Sequence, residues 1–391
     1  MPAAFPPTSA SRPRATIAPR SSRRGFLLGL GAASLLARGV PAATVGITSR
    51  KALDRALAGA QGGETLVLAD GAYGGLKIAG RSFRPAVTLT SATPRGARFD
   101  AVEITGSEGL ILDQLHVASP DQGTFSSAVV SIQGSSGIAL RDSEVNGPVD
   151  GDFSGHHGLH TDLGSRDITF ARNYVHDVKN GATFIDTSAL TVTGNVIDRI
   201  GNDSFKLIAI TGGVIDGNTG ARNVFPQPGS HLDFVQFQGA DSRDIVLRGN
   251  VFLPGARTDV QGIFLDDARF TNVMIERNII VTSMIRGISV SGARNTVARY
   301  NTVLDVPGAG KATYVMLDGE VYGNIMSTYP GDKKLGIYEG NLLLQHADPR
   351  GRWHYDTVFR NARAGSGITL ADLAPVPGGL AESYGAMART R

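Results

Sequence analysis

The chain contains no cysteine, so disulfides, thiolate nucleophiles and Cys-ligated zinc are excluded. Only one tryptophan, Trp353, is present, and aromatic residues make up 7% of the whole. A surface built from stacked aromatic platforms therefore has few residues to draw on. Residues 1–43 lack lysine and any acid, yet hold six arginines, at 12, 14, 20, 23, 24 and 38. Without that segment 32 basic residues face 35 acidic ones, so the remainder is slightly acidic despite a whole-chain pI near 9.1. Nucleic acid is not an indicated partner, and any affinity for an anionic polymer must come from local positive charge. Nor does any apolar run reach the roughly 20 residues a membrane-spanning helix needs.

Glycine, by contrast, is abundant at 50 of 391 residues, without a collagen-like period. Scattered glycine among short apolar runs points to a turn-rich β protein. At the amino terminus, Arg23-Arg24 precede an apolar stretch of about a dozen residues. A small-residue site at Pro41-Ala42-Ala43 follows. The stretch from Ser22 to Ala43 resembles a twin-arginine export signal, which implies cleavage near residue 43, periplasmic or secreted location and no stable membrane insertion.

The strongest signal is an internal repeat. Short alternating apolar runs each end in an asparagine, at 173, 195, 218, 250, 278, 301 and 324. The steps are 22, 23, 32, 28, 23 and 23 residues. Two earlier segments, 109–117 and 137–145, fit the pattern with other residues at the asparagine place. Periods of this size mark solenoids, and the β-branched runs divided by Gly, Asn and Asp mark strands. The expected fold is all-β: a right-handed parallel β-helix of 10 to 12 coils, in a single domain spanning residues 44–391. Regular coils are expected over 64–345, with a closing segment and tail after them. The asparagines read as a structural ladder at one turn, since Asn tolerates left-handed backbone and its amide bonds from coil to coil.

A short amphipathic helix presenting Leu53, Ala56, Leu57 and Ala60 is expected to cap the first coil and cover its edge. Residues 48–75 thereby resemble the amino-terminal cap of right-handed β-helix polysaccharide lyases.

A second strand lies upstream of each asparagine strand. Aligned, these strands share an apolar second column of Val130, Leu159, Phe184, Phe205, Phe234, Ile263 and Ile288, which should face the core. Alternation then turns the third column outward: Ser131, His160, Ile185, Lys206, Val235, Phe264 and Ser289. Lys206 therefore needs no burial, and a solvated strand lysine is its plainest reading. Its neighbours suggest more. His160 should lie about 10 Å away in the same column, with Asp186 on the coil between them if that strand is shifted by one place, and Asp233 about 8 Å away. His231 and Gln236 flank Asp233. Segments 146–157, 219–231 and 252–262 all enter the same corner, adding His157, Arg222 and Arg257 as wall residues of a groove.

Phe205-Lys206-Leu207 follows Asn202-Asp203-Ser204 and precedes a stretch ending Asp216-Gly217-Asn218. It resembles the strand carrying the catalytic lysine in calcium-dependent pectate lyases, and the lysine strand of alginate and chondroitin lyases of this fold. That resemblance implies β-elimination on an acidic polysaccharide, with Lys206 taking the C5 proton of a uronate. His160 or His231 would serve as acid or as carboxylate-neutralising partner, beside Asp233. Arg222, Gln236, Arg257, His157 and Asn202 would contact substrate. Calcium is an implied cofactor, with Asp162, Asp186 and Asp203 as candidate ligands. Two departures from the families stand out. No arginine follows the lysine on the next coil, where His231-Leu232-Asp233-Phe234-Val235-Gln236 stands instead. The candidate aspartates are also spread over several coils. A glycoside hydrolase is a weaker reading, because Asp233 and Asp266 should sit about 14 Å apart, beyond the usual carboxylate pairs. A uronate C5-epimerase shares the proton abstraction. A noncatalytic glycan-binding surface protein would favour outward aromatics, of which Phe237 and Phe264 are the candidates. A monomer is expected.

Overall fold

The computed structural model describes residues 43–120, 128–220, 231–255, 259–306, 312–330, 336–344, 355–361 and 367–388. Residues 1–42, with nearly all of the expected export segment, lie outside them, as do Arg222, Arg257, His346 and Trp353. Among the described residues no helix is long and apolar enough to cross a membrane.

The chain winds as a parallel β-helix with three faces. The first carries ten strands, from Leu76–Ala79 through Asp233–Phe237 to Tyr314–Leu317. The second runs from Thr44–Ile47 to Ile337–Glu339. The third is a sheet of 12 short strands, from Gly71–Ala72 to Leu342–Leu343. Strands of one face pair in parallel, coil on coil, so each residue meets its counterpart about 4.8 Å away. Inward columns must then be apolar in every coil. On the first face the inward column reads Leu76, Val102, Val130, Leu159, Ala182, Phe205, Val235, Ile263, Ile288 and Val315, nearly all inaccessible to solvent.

Two strands therefore depart from the alignment read in the sequence, one by two residues and the other by one. Ala182, not Phe184, stands in the Phe205 column, and Val235, not Phe234, follows it. The outward column accordingly reads Ser131, His160, Thr183, Lys206, Gln236, Phe264 and Ser289. Phe184 and Phe234 are still buried, one along the strand and one at its corner against Phe252 at 5.0 Å. A shift of two leaves the alternation of the first strand intact, and in the second Phe234 and Val235 are adjacent apolar residues, so alternation alone does not choose the register.

Ser49 opens the helix Arg50–Gly59 by accepting from the Ala52 N–H at 3.3 Å. Leu53 is fully buried at the end of the core, with Ala56, Leu57 and Ala60 packed beside it.

The asparagine ladder is present. From Asn173 to Asn324 each backbone N–H donates to Oδ1 of the next asparagine at 2.8–3.1 Å, and the series ends on Asn341. Each Nδ2 also donates to that oxygen and to a main-chain carbonyl of the coil before. Ser143 fills the asparagine place one coil earlier, its Oγ accepting from the Leu115 N–H at 3.0 Å. These side chains are buried, so each amide replaces water for turn groups that would otherwise be unsatisfied.

After the regular coils, Tyr355, Val358, Phe359, Ile368, Leu373 and Ala381 pack sideways on the outer side of the third face. They cover Leu253, Ile279, Val281, Leu304, Ile325 and Leu344. The Tyr355 hydroxyl donates to Asp305 Oδ1 at 2.5 Å, and Arg277 Nη1 holds the Ala388 carbonyl at 2.9 Å.

Asn250→Ala leaves buried donors and acceptors unpaired on both adjacent coils. It should cost about 2–4 kcal/mol, with loss of one or two buried hydrogen-bond partners at about 1–3 kcal/mol each. Chemical denaturation checks this; an unchanged midpoint would remove the ladder from the list of stabilising elements.

Candidate functional site

The corner where the third face turns into the first carries a second polar ladder. Asn180 Oδ1 accepts from the Asp203 N–H at 3.1 Å, and Asp203 Oδ1 accepts from the Asp233 N–H at 3.0 Å. Where one coil uses an amide, the next two use carboxyls. Asp203 and Asp233 are both fully buried. Burial pushes the Asp203 carboxyl up to about 7, with the neighbouring charge of Asp233 adding to it. Asp233 is also raised by burial, against the pull of His231.

His231 lies beside this pair. In its neutral form Nδ1–H donates to Asp233 Oδ2 at 2.9 Å, and Gln261 Nε2 donates to the ring's other nitrogen. The bond to Asp233 raises the imidazole above its ordinary value, and half of the side chain is exposed. The His231 ring also leans on Phe264, at 5.7 Å between centroids, and the Arg286 guanidinium lies 5.0 Å from that ring's centre. Gln261 and Arg286 were not singled out in the sequence. Gln261 pairs in register with Asp233, a relation that appears only once the strand alignment is known.

Lys206 stands on the outward column between Thr183 and Gln236. Among the described residues it makes no ion pair. Its charge nevertheless reaches His157, Asp203 and Asp233. His160 lies two coils back, about 10 Å along the column. Burial lowers the His160 imidazole, and burial with the nearby cationic groups lowers His157 to about 4, so both rings are neutral at pH 7. Thr183 Oγ1 and His157 Nδ1 are 3.3 Å apart. Asn202 lies at the rim and donates through Nδ2 to Asp203 Oδ2 at 3.1 Å. The 146–157 segment enters this corner as expected. A Cβ on Gly201 would fall 2.2 Å from the Phe153 carbonyl oxygen, so only glycine lets the segment lie so close beside Asn202.

Other expectations are corrected here. Asp186 does not stand between His160 and Lys206; Thr183 does, and Asp186 is exposed at the opposite end of the face. Asp162 also lies at that far end, with Oδ1 accepting from the Leu163 N–H at 2.6 Å. Asp203 is some 15 Å away along the strands, by their rise per residue. The three proposed calcium ligands thus occupy two different corners. Among the described residues no group of three or more His, Asp or Glu side chains is placed to hold a metal ion. Phe237 points into the core rather than outward, edge-on to Phe270. Asp266 sits at a strand end, bonded by Ser291 Oγ.

Three buried side-chain polar atoms lack a hydrogen-bond partner among the described residues: His160 Nε2, Ser204 Oγ and Asp233 Oδ1. All three belong to this face and corner. Buried polar atoms are otherwise satisfied, so their concentration around one lysine marks the place where a ligand's polar groups have most to offer.

Residues 100–304, more than half of the chain, match the sequence model of the right-handed β-helix region. The chain belongs to that family. Solved structures similar to this β-helix include AlyGC, an alginate lyase of family PL6, at 14% identity over 88% of this chain with a TM-score of 0.48. Only 56% of that lyase is covered, so this β-helix spans little more than half its length. Endo-xylogalacturonan hydrolase from Aspergillus tubingensis is similar at 11% identity, covering 80% of this chain and 98% of the hydrolase, with a TM-score of 0.43. PfbA, a surface adhesin of Streptococcus pneumoniae, is similar at 10% identity, covering 76% and 85%, with a TM-score of 0.39. No curated protein sequence matches. At these identities the likeness is one of fold alone.

A carboxyl whose folded pKa lies above its unfolded value binds more protons when folded, so stability falls as pH rises through that window. For Asp203 the window runs from about 4 to about 7. Asp203→Asn restores the amide that Asn180 supplies one coil earlier. It should flatten this part of the stability–pH curve and make the variant more stable than the parent at pH 8, by about 1–3 kcal/mol. Denaturation midpoints across pH 4–8 test this; parallel curves would show that Asp203 is not held protonated.

Proposed function

We propose that this protein acts on an acidic polysaccharide by β-elimination, with Lys206 as the base. The observation that carries the reading is the unpaired Lys206 set among partnerless buried polar atoms on an outward strip, beside a His–Asp pair. Such a strip crosses coil after coil, which suits an extended polymer better than a small molecule.

In this reading a uronate lies across the strip with its carboxylate toward His231 and Arg286. The cationic forms of those groups withdraw charge from the carboxylate and make the C5 proton easier to remove. The neutral amine of Lys206 takes that proton. The C5–H electron pair forms the C4–C5 double bond, and the C4–oxygen bond breaks. The leaving oxygen takes a proton from the His231 imidazolium, whose orientation Asp233 fixes. Gln261 can follow His231 through both charge states by turning its amide, so its oxygen accepts when the ring is protonated. Gln236, one coil from Lys206, is placed to meet a sugar hydroxyl. The aspartates expected to bind calcium do not assemble, so no step runs through a metal.

A second reading keeps the reaction and exchanges two roles. Burial holds His160 neutral and its Nε2 has no partner, which favours it as base, with Lys206 pairing the carboxylate. Hydrolysis is less well supported, because Asp233 is bonded to His231 and Asp266 to Ser291. The export reading of residues 22–43 agrees with a polymer met outside the cytoplasm.

Ultraviolet absorbance of the unsaturated uronate end, followed over a panel of polyuronates, tests the proposal. Lys206→Ala should lower kcat/KM by about 10²–10⁴-fold, and a chelator should leave the rate unchanged. Lys206→Arg separates the readings: arginine keeps the charge but cannot deprotonate, so it should abolish activity if Lys206 is the base and spare much of it if His160 is. New reducing ends without absorbance would replace elimination by hydrolysis.

A further inference from the structure

Arginines on the second face follow a habit that one column breaks. Arg141, Arg248 and Arg299 each reach a carboxylate one coil back, Asp113, Asp216 and Glu276, at 2.7–2.8 Å. At this end of the face the column places Asp216, Arg248, Glu276 and Arg299 on successive coils, acid and base in alternation. At the opposite end, beside the first face, the register places Thr211, Arg243, Thr271 and Arg294. There the residue one coil back from each arginine is a neutral threonine.

Arg243 reaches only its own chain neighbour, Asp244, at 3.7 Å, and among the described residues Arg294 has no carboxylate within ion-pair distance. Between them lies a cleft of about 440 Å³ lined by Asp241, Arg243, Arg269, Thr271, Gly292 and Arg294. Arg269 pairs with Asp241 at 3.1 Å, and both are largely exposed. Three guanidinium groups thus share the cleft with one lining carboxylate, Asp241, while Asp244 stands outside the lining at the long distance of 3.7 Å from Arg243. Arg243 and Arg294 stand two coils apart, about 10 Å. Guanidinium groups at the mouth of a polar cleft recognise carboxylates through paired N–H donors.

We propose that this cleft is an accessory site for a carboxylated polysaccharide, engaging a stretch of chain apart from the Lys206 strip. It shares the polymer class of the proposed function but none of its chemistry, and binding is read without cleavage. Native gels cast with alginate or polygalacturonate should retard the protein. Arg243→Ala/Arg294→Ala should weaken the apparent affinity by roughly three- to tenfold, the scale of two exposed charge contacts. Arg243→Lys/Arg294→Lys should recover part of the loss. Thermal stability and turnover of short oligouronates should be unchanged in both variants. Equal retardation of parent and double alanine variant overturns the site, whatever the enzyme proves to do, and so does a parent that no polyuronate retards. Retardation that needs the arginines, in a protein that cleaves nothing, upholds the site and sinks the lyase reading. Gels with sulfated dextran name the anion: retardation as strong there as with polyuronate would overturn the carboxylate assignment.

Discussion

Every feature of this β-helix depends on stacking coils in parallel at a fixed spacing of about 4.8 Å. Each residue inherits a neighbour of the same structural duty above and below. An inward column must stay apolar for its full length, because one polar member would be desolvated between two hydrophobic ones. A tight corner must supply hydrogen bonds to main-chain groups that no strand ladder reaches. The asparagines from Asn173 to Asn341 solve this by repetition, each amide serving its own coil and the neighbouring one.

The corner beside the first face meets the same demand with a difference. Asn180, Asp203 and Asp233 form a run in which two amides are exchanged for acids. The backbone is still satisfied, since a carboxyl oxygen accepts as well as an amide oxygen. The cost is electrostatic: two buried acids crowd each other, and Asp203 is held toward its protonated form. What is gained is a carboxylate fixed behind His231 and a concentration of charge under Lys206. A local rule broken within an otherwise regular repeat is characteristic of sites where stability yields to chemistry.

The outer surfaces divide the remaining duties. Second-face arginines and carboxylates alternate from coil to coil at one end, which neutralises the stack at small cost per pair. The later third-face strands expose apolar residues that the carboxy-terminal segment covers. The earlier ones carry a satisfied polar network instead. There Arg199 Nη2 bonds Asp177 at 2.6 Å, and His176 Nε2 lies 3.1 Å from Glu144. His176 thus has a structural role. Among the described residues, the first face alone combines a cation without an ion pair with partnerless buried polar atoms.

Much of this is legible in the chain itself. The steps between asparagines reveal the coil length, and the apolar alternation upstream of them places Lys206 on an outward column. Those are consequences of period, which sequence records directly. Register within a strand of consecutive apolar residues is another matter. Around Phe234 either of two adjacent side chains could face the core, around Phe184 a shift of two residues preserves the alternation, and only the stacking of both neighbouring coils decides. That choice sets Gln236 beside Lys206 and turns Phe237 inward. Separation across a face is equally hidden: Asp162, Asp186 and Asp203 look alike in sequence, but strand length carries the first two to the far corner. Sequence determined the period, the inward columns and the asparagine ladder, because these are local and repeat. Tertiary structure decided which acids, imidazoles and cations meet, because those encounters lie between coils and depend on register and on which corner each side chain occupies.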